Sequence, residues 1–589
     1  MIGSAKGGTV GTIRSLGASR RGAGAVVLAL AAVLGVLALP DAPVEAAGLS
    51  AGSPRVLPVT AADRSVSVRE LAAAGSSPAA GAAMLRSPLR VVAGGERPAV
   101  EDEPDEPVSP AETIDAAAPV RLPVGPVPST FEGLSSGDNE RVVGYRVSPA
   151  DPVGDVGPNH YVQMVNLVLA VYTKSGERIL GPLGLDRLWE GFGVEACRDP
   201  NGDPVVLYDG QHDRWILTQL GLGGFGDNAI CLAVSATGDP TGGYYRYAFS
   251  TGANFPDYPK YGVWNDTLVV TTREFPLDGG EGVGVYALEL DRMLAGRARV
   301  RGVGWYLDAT NPALTPLVGD GLLPADVDGT RWPVAGRAIP LVGTQDDGAG
   351  LGATIDALNV WELSVSWSGS VRPSLRLAAQ LPVAPFDSMF PCSPGPRDCL
   401  AQPGLSRDRY LDIQSYRQRP LWRLAYRRFS GYDSMVTTQS VQARSGIAGL
   451  RWYEIRRGPG GYRVHQQGTY APFDATHRWM GSIAQDKAGN ASLGFSVVNG
   501  FDTYPGIRYV ARLAGDPLGT LPQRERVIVH GTGVQRSLSS RWGDYTSMNV
   551  DPVDDCTFWY VNQYYTAGGQ RASAAGWQTR IASFRLPGC

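Results

Sequence analysis

The chain has 589 residues, 43% of them hydrophobic, and a formal net charge of −4 from 53 basic and 57 acidic side chains. This near balance gives no overall basic field, which argues against nucleic acid as a partner. The length is sufficient for a sizeable core.

The N-terminus has the pattern of an export signal. Residues 23–39 form an apolar segment preceded by Arg14, Arg20 and Arg21, and the small residues at 44–46 suit signal peptidase. We therefore predict a signal peptide over residues 1–46 and a protein located outside the cell or at the cell envelope. An uncleaved anchor is the alternative, because the segment has about the minimum length of a spanning helix. After removal of the signal, no membrane span is expected.

Residues 47–130 differ in composition from the rest of the chain. They are rich in Ala and Pro, include the acidic run at 101–107, and contain few aromatic side chains. Such a segment buries too little apolar surface to offset the entropy of ordering its backbone. We predict a disordered linker or a propeptide.

From residue 131 to 589 the sequence consists of short strand-like runs separated by Gly, Asp, Asn and Pro. Strand–turn–strand signals recur at intervals of about 50 to 80 residues, and helical patterns are short, near 185–189 and 290–294. Residues 478–486 and 541–551 form an internal repeat with a spacing of about 65 residues, which is typical of β-propeller blades. The sequence predicts an all-β fold, a single β-propeller of seven blades or alternatively six.

The six cysteines indicate disulfides, because their number is even in a chain predicted to be exported. Local pairing would keep each bridge within one blade or loop. The predicted pairs are Cys197 with Cys231, Cys392 with Cys399, and Cys556 with Cys589. No CxxC spacing or neighbouring histidine pair supports a zinc site instead.

Four sequence words carry a family resemblance. Residues 151–166, 477–483 (His-Arg-Trp-Met-Gly-Ser-Ile), 541–545 (Arg-Trp-Gly-Asp-Tyr) and 551–560 resemble an uncharacterised family of secreted bacterial β-propeller-like proteins. The resemblance covers the chain after residue 130 and implies the fold and secretion, but it brings no established activity. Residues 486–490 are loosely similar to the Asp-box turn of sialidase-type propellers, without the Thr-Trp pair that follows that turn.

An acidic residue recurs near the start of the first strand of several units, at Asp155, Asp203, Asp257 and Asp544. If these strands line a central channel, the carboxylates would surround one mouth and could bind Ca²⁺, the one cofactor that the sequence suggests. Alternatively, each aspartate accepts hydrogen bonds from the backbone of its own turn. We predict them as binding residues and assign no metal ligand.

Arg478 and Arg541 stand at equivalent positions of the repeat, each before a tryptophan. Together they could clamp a carboxylate or sulfate, since guanidinium groups bind such anions through two parallel hydrogen bonds. The structural alternative is that each stacks on its tryptophan or pairs with an aspartate of a neighbouring blade.

No complete catalytic motif is present. HExxH and P-loop sequences are lacking, and the two GxSxG matches, at 48–52 and 133–137, do not join a predicted strand to a helix. We therefore leave catalytic residues unassigned. The main prediction is a monomeric extracellular binding or scaffold module for a polysaccharide or a cell-surface protein. Two alternatives are a carbohydrate-active enzyme, a glycosidase or lyase using carboxylates at the propeller mouth, and a structural envelope or adhesion component.

Overall fold

The computed structural model describes residues 49–74 and 128–589, apart from 200, 224–225, 278, 369–371, 391–397 and 414–418. Two compact regions are distinguished, 1–42 and 43–589, and all the described residues belong to the second. The predicted signal peptide lies outside the described residues. Within the described part of the chain, no helix is long and apolar enough to cross a membrane.

Short elements precede the main body of the fold. In chain order they are β1 (Arg55–Val56), β2 (Val59–Ser67), α1 (Val68–Ala73), β3 (Ser129–Ser135) and α2 (Ser136–Val143). A capping box explains where α1 begins. The Ser67 side chain accepts a hydrogen bond from the amide of Glu70, and the Glu70 carboxylate accepts one from the amide of Ser67.

The main body consists of seven units, each built on four antiparallel strands. Unit 1 contains β4 (Val153–Val156), β5 (His160–Val165), β6 (Val168–Thr173) and β7 (Arg178–Gly184), and unit 2 contains β8 (Val206–Asp209), β9 (Arg214–Gly221), β10 (Asn228–Ser235) and β11 (Gly243–Gly252). Unit 3 contains β12 (Phe255–Trp264), β13 (Thr267–Phe275), β14 (Gly282–Glu289) and β15 (Gly302–Asp308), and unit 4 contains β16 (Leu323–Asp328), β17 (Ile339–Gln345), β18 (Ala357–Ser364) and β19 (Ser374–Pro382).

Two further strands, β20 (Asp398–Leu400) and β21 (Leu411–Asp412), pair with each other between units 4 and 5. Unit 5 contains β22 (Leu421–Arg428), β23 (Asp433–Arg444), β24 (Ile447–Gly458) and β25 (Gly461–Tyr470). Unit 6 contains β26 (His477–Gln485), β27 (Ala491–Val498), β28 (Gly506–Arg512) and β29 (Arg526–Val529). Unit 7 contains β30 (Ser547–Val550), β31 (Thr557–Tyr565), β32 (Trp577–Arg585) and the early strand β3.

The remaining helices are short. They are α3 (Leu185–Leu188), α4 (Glu195–Arg198), α5 (Leu290–Leu294), α6 (Thr315–Val318) and α7 (Ala567–Ala572). The helices α3 and α5 confirm the helical patterns predicted near residues 185–189 and 290–294.

First strands of the units lie beside one another. Contacts join β4 to β8, β12 to β16, β22 to β26 and β26 to β30, while β16 and β22 pair in parallel. The first strand of unit 7, β30, also contacts the first strand of unit 1, β4. Repeated four-stranded antiparallel units whose first strands adjoin are the arrangement of a β-propeller, so the predicted all-β propeller fold is confirmed.

Unit 7 is completed by a strand from the other end of the chain. The early strand β3 pairs antiparallel with β32, in a register that runs from Ser129 opposite Ser583 to Ser135 opposite Gln578. The β body therefore begins at residue 129, close to the predicted boundary at 131. This pairing fixes the beginning and the end of the body in one sheet.

Residues 49–74, which we call the strap, are ordered against three units. The strand β2 pairs with β11 of unit 2, β1 pairs with β15 of unit 3, and Ser50 forms a bridge with Arg376 of unit 4. The prediction of a disordered segment over 47–130 is therefore wrong for residues 55–73. Composition missed the strap because its few apolar side chains are enough to anchor it once open sheet edges supply partners for its backbone.

Both faces of most units are buried. Every residue of β14 and β27, for example, is buried, so these strands do not show the alternation of a half-exposed sheet. Large aromatic side chains fill the spaces between units, and the Trp479 and Trp542 rings, from units 6 and 7, lie 5.2 Å apart. Stacking of each unit between two neighbours thus supplies the core.

Two of the three predicted disulfides are confirmed. Cys197 pairs with Cys231, and Cys556 pairs with Cys589, with Cα separations of 5.7 and 5.6 Å. Cys399 is also disulfide-bonded, but its predicted partner Cys392 lies outside the described residues. The bridge to Cys589 ties the C-terminus to the start of β31.

We expect replacement of Cys556 and Cys589 by alanine to lower the free energy of unfolding by about 3 to 4 kcal/mol, because the bridge closes a loop of about 34 residues in the unfolded chain. Equilibrium unfolding in urea would measure the difference. A loss below about 1 kcal/mol would show that the C-terminal strand is held without the bridge.

The strap offers a second test. Arg246 of β11 is buried and donates two hydrogen bonds to the Asp63 carboxylate, at 2.7 and 2.6 Å. Replacing Asp63 by Asn leaves this guanidinium without its counter-charge, and we expect a loss of about 1 to 3 kcal/mol, moderated by the partial exposure of Asp63. The matched control is Arg69→Gln, since Arg69 pairs with Asp239 at the surface of the same segment, and its loss should stay below about 1 kcal/mol.

Candidate functional site

Charged side chains converge where the first strands of several units begin. We call this group the strand-start cluster. It comprises Asp151, Asp203, Asp257, Lys260, Arg419, Arg541 and Asp544, with the rings of Tyr258 and Tyr545. Its members come from units 1, 2, 3, 5 and 7, and all except Asp257 and Arg541 are buried. Three of the predicted aspartates, Asp203, Asp257 and Asp544, therefore belong to one group.

The cluster includes the junction between units 7 and 1. The Asp544 amide donates a hydrogen bond of 2.6 Å to Asp151 Oδ1. Gly543 is required here, because a Cβ at this position would lie 2.5 Å from Gln563 Oε1 and 3.0 Å from the amide nitrogen of Asp151. The Gly543-Asp544 step of the Arg-Trp-Gly-Asp-Tyr segment at 541–545 thus forms a close backbone contact between the last and the first unit.

Asn166 connects this junction to unit 2. Its Nδ2 donates to Asp151 Oδ2 at 2.6 Å, and its Oδ1 accepts from the Asp203 amide at 2.9 Å. Asp151 and Asp203 both have a left-handed backbone, with φ of 48°, a conformation that aspartate tolerates better than most residues. Side chains from two units are thereby held in fixed positions.

Lys260 lies at the centre of the cluster and is buried. Its Nζ is 2.9 Å from the centroid of the Tyr258 ring and 3.7 Å from that of Tyr545. Arg419 also lies over the Tyr258 ring, with its Cζ 4.0 Å from the centroid. Cation–π attraction is strongest for a desolvated cation, which applies to Arg419, whereas burial lowers the pKa of Lys260 well below its usual range.

Asp203 is set apart from the other carboxylates by its surroundings. Burial raises its pKa well above the usual range, and the nearby Asp257, Asp151 and Asp544 raise it further. The hydrogen bonds agree with a protonated Asp203. The Tyr545 hydroxyl lies 3.1 Å from the Pro259 carbonyl and 3.2 Å from Asp203 Oδ2, so it can donate to the carbonyl and accept from a protonated carboxyl.

Asp544 has the opposite tendency. Burial disfavours its charged form, but Arg541, which binds it at 2.7 Å, and Arg419 together outweigh burial and lower its pKa. Burial and the adjacent Asp544 raise the pKa of Asp151 to about 7. The cluster therefore combines a carboxyl whose pKa is lowered with carboxyls whose pKa values are raised.

Asp155 lies outside this cluster, although the sequence predicted it as a fourth member. Its carboxylate accepts hydrogen bonds of 2.7 Å from the amides of Val156 and Tyr208. The charged groups near it are Arg423 and Asp326, which pair at 2.8 Å. Asp155 thus accepts one backbone hydrogen bond from the next residue and one from unit 2, so it joins unit 1 to unit 2, and the local-turn alternative describes the first of these bonds alone.

Arg478 and Arg541 do not form the predicted clamp. Arg478 binds Asp474 at 2.9 Å and Glu525 at 2.7 Å within unit 6, whereas Arg541 binds Asp544 in the strand-start cluster. Matching sequence positions did not give matching contacts, because the third residue after Arg541 is Asp544 whereas the third residue after Arg478 is Gly481, so Arg478 pairs with carboxylates outside the repeat. The structural alternative applies to Arg478, with carboxylates in place of a tryptophan.

The predicted calcium ring does not form in this geometry. Among the described residues, the one group of three acidic side chains with ligand atoms within 4.8 Å of one another is Asp346, Asp347 and Asp356. Asp346 and Asp356 already accept backbone hydrogen bonds, including one of 2.6 Å from Phe386. Asp203, Asp544 and Asp257 lie near the buried Lys260 side chain, and burial lowers the pKa of that amine well below its usual range.

Sequence reasoning missed Lys260, Arg419 and the two tyrosines of the cluster. One signal was available for Lys260, because the chain has four lysines, Lys6, Lys174, Lys260 and Lys487, against a large excess of arginine. A lysine retained among strand-forming residues in such a chain indicates a particular role. Nothing in the local sequence distinguished Arg419 from the other arginines of its neighbourhood.

Comparison with known proteins leaves the family open. No family model and no curated protein matches the chain. Solved structures that resemble it include a GH43 β-1,3-galactosidase (10% identity, 79% of this chain and 94% of that chain, TM-score 0.28), the GH93 α-L-arabinofuranosidase of Fusarium graminearum with arabinobiose (10%, 56% and 93%, 0.28), and an α-L-arabinofuranosidase from Podospora anserina with cellotriose (11%, 57% and 92%, 0.24). At these TM-scores the likeness supports no conclusion about activity.

Asp155 provides a test of the buried electrostatics. Burial raises its pKa to about 8, so the folded state holds a proton more tightly than the unfolded state, and stability should fall as the pH rises from about 4 to 8, by up to about 1.4 kcal/mol per pH unit. Asp155→Asn should flatten this slope. Urea unfolding at several pH values would measure it, with Asp502→Asn as the control, because hydrogen bonds from Asn499 and Thr503 lower the pKa of that exposed group. An unchanged slope in Asp155→Asn would contradict the assignment.

Proposed function

We propose that the seven units are the blades of one closed seven-bladed propeller, and that the strand-start cluster lies at one mouth of it. Two observations support closure. The chain ends share unit 7 through the pairing of β3 with β32, and Gly154 of β4 exchanges hydrogen bonds of 2.9 and 2.8 Å with the Ser547 side chain of β30.

We propose further that the protein is an extracellular carbohydrate-active enzyme that hydrolyses a glycosidic bond by acid–base catalysis. The observation that carries this proposal is the opposite pKa shifts of Asp203 and Asp544 within one cluster. A glycosidase needs one carboxyl that keeps its proton and one that has lost it. Asp203 would protonate the leaving oxygen, and Asp544 would act as the base or nucleophile, with Arg541 holding it ionised.

An extracellular location agrees with the disulfides, which persist in oxidising compartments. A polymeric substrate suits a rigid cluster supplied by several blades, because positioning contributes much of the catalytic effect. The left-handed backbone of Tyr258, with φ of 53°, is a strained conformation of the kind that concentrates at functional sites.

A non-catalytic binding module is the second candidate, and the size of the site favours it. The cavity bordered by Tyr258, Lys260 and Arg419 has a volume of about 10 Å³, far below the several hundred Å³ of typical ligand pockets. A sugar ring does not fit, so catalysis requires the mouth to widen when substrate binds. A non-catalytic binding module does not require the mouth to widen in this way.

Hydrolysis assays on a panel of aryl glycosides and bacterial and plant polysaccharides would test the enzyme. We expect turnover of at least one substrate, and a loss of about 10²- to 10⁴-fold in Asp203→Asn and in Asp544→Asn, because each removes a proton-transfer group. The matched control is Asp486→Asn, a buried turn aspartate of unit 6, which should retain turnover.

Full activity in both variants would refute the assignment of these carboxylates. If no substrate is turned over while the folded protein binds one of the polysaccharides in a pull-down, the binding module replaces the enzyme as the better proposal.

A further inference from the structure

A small cavity adjoins the strand-start cluster. It is lined by Lys260, Arg273 and Arg419, together with Tyr258 and Thr271, and its volume is about 10 Å³. A space of this size accommodates roughly one water-sized group. Two of its wall residues, Arg273 and Arg419, thus carry a guanidinium, and Lys260 adds an amine whose pKa is lowered well below its usual range by burial.

Lys260 and Arg419 have donors without a good acceptor. Lys260 is 2% exposed, and its Nζ lies 3.5 Å from each of its two hydrogen-bond acceptors, the carbonyl oxygens of Tyr258 and Pro259. Arg419 is 4% exposed, and its Nε has no hydrogen-bond partner among the described residues. Buried donors are nearly always satisfied in folded proteins, so the two groups indicate an acceptor that occupies the cavity.

The charges around the cavity favour an anion as that acceptor. Asp320 serves two of the cations, since it binds Arg273 at 2.6 Å and Arg419 at 3.1 Å. Glu281 adds a weaker contact of 3.4 Å to Arg273. The carboxyl groups that act electrostatically on Lys260 are those of Asp203, Asp544 and Asp257, and it forms no ion pair with them. Thr271 does not compete, because its hydroxyl donates to the Leu322 carbonyl at 2.6 Å.

We propose that this cavity is a binding site for one compact, singly charged anionic group, held by Lys260 Nζ and Arg419 Nε. Two sources have this chemistry, a free halide ion and a carboxylate oxygen of an acidic sugar. The second source rests on the proposed function and would make the substrate an acidic glycan. The first source does not depend on any catalytic activity.

Bromide is the direct probe. Crystals of the whole protein grown without halide and soaked in sodium bromide should show an anomalous peak between Lys260 and Arg419. In halide-free buffer of constant ionic strength, added bromide should raise the melting temperature and the effect should saturate, because the ion binds the folded chain alone. Sodium glucuronate and glucose form the second arm, in which glucuronate should stabilise and glucose should not if a sugar carboxylate enters the site.

Arg419→Gln removes one of the two donors and should abolish the saturable part of the shift. Arg508→Gln is the control, because Arg508 also pairs with a carboxylate, the half-buried Glu525 at 2.8 Å, but lies in unit 6. Lys260→Met serves as the second variant if Arg419→Gln does not fold. Stabilisation by bromide alone identifies a halide site, and stabilisation by glucuronate identifies the sugar carboxylate.

Equal shifts in wild type and Arg419→Gln, or in wild type and Lys260→Met where that variant is used, together with no anomalous peak in the cavity, would overturn the anion site. These measurements need no substrate turnover, so failure of the hydrolysis assays and failure of the anion site can be told apart.

Discussion

The antiparallel pairing of β3 with β32 is the constraint on which the rest of the structure depends. It places a strand that precedes unit 1 in the same sheet as the last strand of the chain. At the same seam, the Asp544 amide binds Asp151 and the Ser547 hydroxyl binds Gly154. The strand-start cluster spans this seam. If unit 7 separated from unit 1, Asp544 and Arg541 would leave Asp151 and Asp203, and the division between protonated and ionised carboxyls would disappear.

Burying so many charged groups together is costly, and the cost explains how the cluster is built. Desolvation disfavours every charge, so each ionised group needs a partner. Asp544 has Arg541 and Arg419 has Asp320, whereas Lys260 packs against two aromatic rings and its pKa is lowered well below the usual range by burial. Asp203 lacks a cationic partner at contact distance, and burial raises its pKa instead. Apolar side chains of similar size would stabilise the fold about as well as this cluster does. Stability alone therefore does not explain the cluster, and we interpret it as functional.

Stability outside the core has a different origin. Each sheet is buried between its neighbours, so its outer edge strand is where backbone groups remain exposed. Unpaired edge strands can form hydrogen bonds with other chains. The strap covers the edges of units 2 and 3, with its own Leu57 and Val68 side chains buried and its Asp63 paired with Arg246. The bridge between Cys556 and Cys589 holds the C-terminal end. The strap and the disulfide therefore stabilise parts of the chain that packing between the units does not hold.

The sequence by itself determined the class of fold, the short helices near 185–189 and 290–294 and two disulfide pairs, because hairpin turns, strand patterns and cysteine spacing are local signals. It also identified Asp203, Asp257 and Asp544 through their position at strand starts. Only the tertiary structure decided that Asp155 and Arg478 lie elsewhere and that Lys260 and Arg419 join the cluster, since these contacts connect units far apart in sequence. The strap was missed for the same reason. Its order comes from sheet edges contributed by other units, and composition reports only what a segment can bury alone.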